Sequence, residues 1–164
     1  MAGQSPGGTI YFAVLGIITT AFGLADLLVT ASGSEFAYAG ILVIPGDIFR
    51  GGWGGIIVLF AGLFYLSGIR NFDDIHQFAK VAMGSILIWV VAGCDIFAII
   101  LESIPSWNEE TGPWFNTLPD FIAAYAPPYA PAVLLLPFSL VVIYYIRKRA
   151  SEDGGAGIYH ERNG

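Results

Sequence analysis

Residues 78–101 read FAKVAMGSILIWVVAGCDIFAIIL, an apolar run in which Asp95 is the only charged residue after Lys80. At ~1.5 Å per residue, a helix of this length is about 36 Å long and crosses a hydrocarbon core of ~30 Å. The stretch is predicted to be a transmembrane helix. An ionised aspartate near a bilayer centre costs roughly 2.5–3.5 kcal/mol on insertion scales, so Asp95 is expected to face other helices or water rather than lipid.

Three more apolar runs, about 10–31, 53–69 and 131–146, complete a set of four predicted spans. The first contains Asp26, with Gly16 and Gly23 one heptad apart, and small residues on one face let a neighbouring helix approach closely. It is longer than a signal-peptide core and has no convincing small-residue cleavage site, so it is expected to be retained as a span. The second opens with GGWGG and is short for a span unless the preceding glycines belong to it; Gly51 and Gly55 form a small-residue pattern at its end. The fourth contains Pro137, where a kink is expected, and ends at Arg147, Lys148 and Arg149.

The connections carry their own signals. Residues 36–44 form an apolar patch too short to cross a membrane, closed by the turn signature Pro45-Gly46-Asp47, and are read as an interfacial or re-entrant segment. Between spans two and three, RNFDDIHQFAK predicts a helix start with Asn71 as cap and Asp73 and Asp74 in the first turn. Asp73, Asp74 and His76 have metal-ligand residue types, but carboxylates at a helix start beside a His are the ordinary arrangement of a helix terminus. No metal is assigned. The long connection 102–130 carries Trp107, Glu109, Glu110, Trp114, Phe115 and Asp120 among five prolines; its aromatic rings favour the membrane interface, and a short helix is expected over 119–125.

The predicted fold class is thus an all-α membrane protein, a four-transmembrane-helix bundle with short interfacial segments in the two outer loops. Residues 1–149 form the transmembrane domain, and 150–164 a polar, Gly-rich cytoplasmic tail expected to be disordered. The composition agrees: 55% of the 164 residues are hydrophobic and only 12% charged, with a mean hydropathy of +0.68, far from soluble norms. The net charge of −6 disfavours nucleic-acid binding, and the single cysteine, Cys94, leaves no intrachain disulfide or thiolate cluster. With four spans, Arg70, Lys80, Arg147, Lys148, Arg149 and Arg162 fall on one side and Arg50 alone on the other. The positive-inside rule then places both termini in the cytoplasm of a cell-membrane protein.

Asp26 and Asp95 lie roughly 22–24 Å from the cytoplasmic ends of their helices. Arg50 sits near the same outer interface, so the three residues form a candidate intramembrane charge cluster. A structural ion pair or hydrogen-bonded carboxyl is one reading; a proton or cation site is the other. An internal echo, in which Gly23-Leu-Ala-Asp26 resembles Ala92-Gly93-Cys94-Asp95, points toward the repeats from which transporters are built, though apolar segments resemble one another by chance as well.

No phosphate-cradling loop, zinc-protease helix or Ser/His/Asp set is present, and the only histidines, His76 and His160, lie outside the spans, so no cofactor is expected. Three functional classes follow. A non-catalytic accessory or scaffold subunit, partnered by lipid, other membrane proteins or its own copies, is the favoured one. A small oligomeric proton or cation carrier using Asp26 and Asp95 is the alternative. A lipid-modifying enzyme acting through Asp47, Glu102 or Asp120 is least supported, because no nucleophile and base can be paired.

Overall fold

The structure, a computed structural model, describes residues 6–102, 119 and 126–161. Among the described residues, four helical runs are long and apolar enough to cross a membrane: Pro6–Ser32, Ile48–Asn71, Ile75–Leu101 and Pro131–Ser151. Their exposed faces carry large apolar side chains such as Ile17, Leu28, Phe60, Val90 and Phe97. In a bilayer this leaves van der Waals packing and interhelical hydrogen bonds to hold the helices together.

Helix α1 (Pro6–Ser32) buries Gly8, Phe12, Leu15, Gly16, Thr19, Gly23 and Asp26. These recur every three or four residues, so they form one stripe. The stripe packs against α2 (Gly54–Gly68), whose buried face includes Gly55, Val58, Ala61, Gly62 and Tyr65. Glycine is required where the backbones meet. A Cβ on Gly23 would run into the Leu59 backbone nitrogen, and one on Gly62 would lie 2.6 Å from the Thr20 nitrogen.

The second span begins before α2. Residues Ile48–Trp53 form a π-helical stretch that leads directly into it, and a 3-10 turn, Ile69–Asn71, closes it. The glycines in front of Trp53 therefore belong to the span, which removes the shortness apparent in residues 53–69. Helix α3 (Ile75–Glu102) starts later than the Asn71 cap predicts. Asn71 ends the preceding turn, its carbonyl accepting from the Asp74 N–H at 2.9 Å. Asp74 is the residue that caps α3, its Oδ1 accepting from the His76 N–H at 2.9 Å. Along α3, Phe78, Val81, Ser85, Ile88, Val91, Ala92 and Asp95 are buried, again at helical spacing.

The segment expected at the interface is a β-hairpin. Strand β1 (Phe36–Tyr38) pairs antiparallel with β2 (Leu42–Ile44), Phe36 opposite Ile44. The turn uses positive φ at Ala39 and Gly40, with the Ile41 N–H donating to the Tyr38 carbonyl at 3.1 Å. Tyr129, at the end of the long connection, lies along the other edge of β2: its carbonyl accepts from Val43 at 3.0 Å and its N–H donates to Ile41 at 2.8 Å. The periodicity of a nine-residue apolar patch does not distinguish strand from helix, so the hairpin is set by its pairing and not by the local pattern. Apart from Pro119, the expected helix over 119–125 and the landmarks Trp107, Glu109, Glu110, Trp114, Phe115 and Asp120 lie outside the described residues.

The fourth span is divided into α4 (Pro131–Ser139) and α5 (Val141–Glu161). Pro137 is accommodated inside α4, and the interruption falls at Leu140, three residues further on. There Ser139 Oγ donates to the Leu136 carbonyl at 2.7 Å and accepts from Trp89 Nε1 at 2.8 Å, joining the break to α3. Helix α5 continues to Glu161, into residues whose composition predicts disorder. Extending an existing helix adds one hydrogen bond per residue without a new nucleation cost.

One end of the bundle is aromatic. Phe12 stacks on Tyr65 and on Phe72 with ring centroids 5.8 and 5.7 Å apart, and Tyr145 meets Phe72 edge-on at 5.4 Å. Arg149 closes this end: its guanidinium donates to the Phe72 carbonyl and lies 4.1 Å from the centre of the Phe78 ring. The hairpin and Arg50 mark the opposite end.

Candidate functional site

Asp26 and Asp95 occupy equivalent places on their helices. Each is the last member of a buried stripe, seven residues beyond Thr19 and Ile88 respectively, so the same periodicity that builds the core carries both carboxyls inward. Asp26 is only 3% exposed. Its Cβ sits where α1 crosses Gly55; a Cβ added to that glycine would lie 2.6 Å away.

Arg50 comes from the π-helical start of the second span. Asp47 holds it there: the Asp47 Oδ1 accepts from the Phe49 N–H at 2.9 Å and from the Arg50 N–H at 2.7 Å, a helix cap that orients the first turn. From this position the Arg50 side chain reaches α3, and its Nε lies 3.6 Å from Asp95 Oδ1. The Asp95 side chain is 10% exposed and that of Arg50 is 37% exposed, so the pair spans the boundary between the interior and the hairpin end.

Of the three sequence-predicted residues, the structure thus joins Arg50 and Asp95 directly. Asp26 stands outside that ion pair, against Gly55 of α2. Its Oδ1 is buried without a hydrogen-bond partner among the described residues, as is Thr30 Oγ1 one turn further along α1. Thr30 faces Gly51, where an added Cβ would collide with its hydroxyl and with the Pro45 carbonyl. The small residues Gly51 and Gly55 therefore make room for α1's polar face, rather than only for a neighbouring backbone.

Two further residues stand near Arg50. Asp47, read from the sequence as a turn residue and as a candidate acid of a lipid-modifying enzyme, is also a cap signal, being an Asp before an apolar run with helical spacing. Glu35 carries no local signal. Both line, with Arg50, Gly33, Ser34, Val43, Pro45 and Gly46, a cavity of about 310 Å³ beside the hairpin. A second, wholly different concavity of about 790 Å³ runs between α1 and α4, lined by apolar residues including Ile10, Val14, Ile18, Phe22 and Phe138. Tyr11 lies on its wall with its hydroxyl donating to the Phe138 carbonyl at 2.8 Å.

Asp73, Asp74 and His76 sit at the opposite end of the bundle, where Asp74 serves as the α3 cap. Chemically, the Arg50 cluster can hold charge and hydrogen-bond polar ligands at the hairpin end. Comparison with protein-family models, curated protein sequences and solved structures returns no match.

Proposed function

We propose that the protein is a non-catalytic accessory or scaffold subunit of an assembly in the cell membrane, with both termini cytoplasmic and the hairpin outside. The observation that carries this reading is the filled interior between the two ends. Beyond Asp26 and Asp95 the helices meet through Val58, Ala61, Ile88 and Val81, and then through the Phe12, Tyr65 and Phe72 rings, all buried. Charge at the hairpin end faces a mainly apolar and aromatic core, in which an ion is costly. The orientation is supported by the side chains gathered at the aromatic end, where Arg149 meets the loop after Arg70, and by Arg50 standing at the other.

A carrier using Asp26 and Asp95 is the second reading, supported by the buried Asp26 Oδ1, which has no hydrogen-bond partner among the described residues. Two measurements separate them. Purification in mild detergent with intact-complex mass measurement should recover unlike chains with a scaffold subunit. Reconstituted alone into liposomes, the protein should leave an imposed proton or cation gradient intact. A gradient collapse lost in both Asp26→Asn and Asp95→Asn would replace the scaffold reading with the carrier. Sidedness is read separately by Glu35→Cys and Ser151→Cys in a Cys94→Ser background: an impermeant thiol reagent applied to intact cells should label the first only.

A further inference from the structure

We propose that a sodium ion is held between α1 and the head of the second span by the Asp26 carboxylate, the Thr30 hydroxyl and the Pro45 carbonyl. Asp26 is only 3% exposed, and its Oδ1 and Thr30 Oγ1 are both buried with no hydrogen-bond partner among the described residues. The two residues stand four apart on α1 and so share one face. A helical side chain leans over the turn before it, which brings the Thr30 hydroxyl toward Asp26.

The third oxygen comes from the neighbouring segment. A Cβ on Gly51 would collide with both Thr30 Oγ1 and the Pro45 carbonyl, so these two oxygens stand over the same glycine. Pro45 lies between β2 and the Asp47 cap, outside the backbone ladders of both the hairpin and the π-helical stretch. Donors are scarce on the facing surface. Gly51, Gly52 and Gly55 bring no side chain to it, and the N–H groups of Gly51 and Gly52 both donate to the Asp47 carbonyl, at 3.0 and 3.1 Å.

A carboxylate, a hydroxyl and a carbonyl facing few donors form a hard-oxygen set, which suits an alkali or alkaline-earth cation. Backbone carbonyls outside a helical ladder coordinate sodium at membrane depth in the same way. Charge decides between the two classes of cation. Asp95 has Arg50 as its positive partner at 3.6 Å, and Asp26, outside that pair, balances one further positive charge; a divalent ion would leave a net charge beside a mainly apolar core. Pro45 also lines the hairpin-end cavity of about 310 Å³ with Glu35 and Asp47, which places the ion's route from solvent on that side. The ion is resident rather than transported, and the inference stands independently of whether the protein is a scaffold or a carrier, because binding is read without a gradient.

The test is binding of radiolabelled sodium to the purified full chain in detergent, together with thermal unfolding in sodium chloride and in choline chloride at equal ionic strength. About one sodium per chain should bind, and at about 100 times its Kd sodium should raise the unfolding midpoint by roughly 5–10 °C over choline. Asp26→Asn should abolish both the binding and the shift. Thr30→Val should weaken binding about ten-fold, and Thr30→Ser, which restores the hydroxyl, should bind as the unaltered chain does. Thr19→Val alters the same buried stripe of α1 about two turns from Asp26 and should leave binding unchanged, which separates loss of a ligand from loss of packing. Equal midpoints in the two salts would overturn the proposal and leave a proton as the occupant of Asp26. Undiminished sodium binding in Asp26→Asn or Thr30→Val, or an equal loss in Thr19→Val, would overturn it as well.

Discussion

Arg50 Nε stands 3.6 Å from Asp95 Oδ1, tying the start of the second span to the far part of the third. Because the Asp95 end is nearly buried, removing one partner leaves a charge or a polar group stranded in a poorly solvated place, whereas removing both does not. Arg50 is partly exposed, which reduces the penalty.

The coupling is therefore measurable by a double-mutant cycle. Arg50→Gln and Asp95→Asn should each destabilise the detergent-solubilised protein by about 1–3 kcal/mol, and the double variant should lose roughly 1 kcal/mol less than their sum. Thermal or denaturant unfolding checks this. Strict additivity would mean that the two side chains do not interact in solution.

The close crossing of α1 and α2 predicts opposite effects for two glycine substitutions. Gly62→Ala would push a methyl group against the Thr20 backbone, where a Cβ lies 2.6 Å from the nitrogen, and should cost about 1–3 kcal/mol. Gly93→Ala, at an exposed helical position with nothing within 4 Å of the new Cβ, should be neutral or stabilise by up to about 1 kcal/mol. If both changes shift the unfolding midpoint equally, helix propensity rather than interhelical contact controls the response.

Tyr65 and Ser85 share a buried hydrogen bond of 2.9 Å between α2 and α3. Ser85→Ala leaves the tyrosine hydroxyl buried without that partner and should cost about 1–3 kcal/mol, while Tyr65→Phe should cost about 1 kcal/mol, because Ser85 Oγ retains the Val81 carbonyl at 3.3 Å. The combined variant should be little worse than Ser85→Ala alone. Unfolding of the three variants under one detergent condition gives the comparison.

At the break in the fourth span, Trp89 Nε1 donates to Ser139 Oγ at 2.8 Å. Ser139→Ala removes the acceptor and should lower stability by about 1–2 kcal/mol, with a change in tryptophan emission as the indole loses its partner. Ser139→Thr retains the hydroxyl and should preserve the emission spectrum even if the added methyl strains the packing. Identical spectra for all three proteins would count against this bond.

The spans were readable from the chain because crossing a bilayer is a one-dimensional requirement: an apolar run must be about as long as the hydrocarbon is thick. Residues 78–101 meet it without reference to any neighbour, and so does the run ending near Ala31. The inward rotation of Asp26 and Asp95 was also latent in the sequence, since each continues a helical stripe of core residues. What local signals left open was decided by packing. Asn71 and Asp74 are both competent caps, and only the 3-10 turn that consumes Asn71 makes Asp74 the one that starts α3. The patch at 36–44 became a hairpin because its other edge found Tyr129, more than eighty residues away. Likewise Arg50 reaches Asp95, and shares a cavity with Glu35, through the placement of three separate segments. Spacing along one helix sets which face a residue occupies; it does not set which residue of another segment stands opposite, and that choice depends on how closely the glycines let the helices meet.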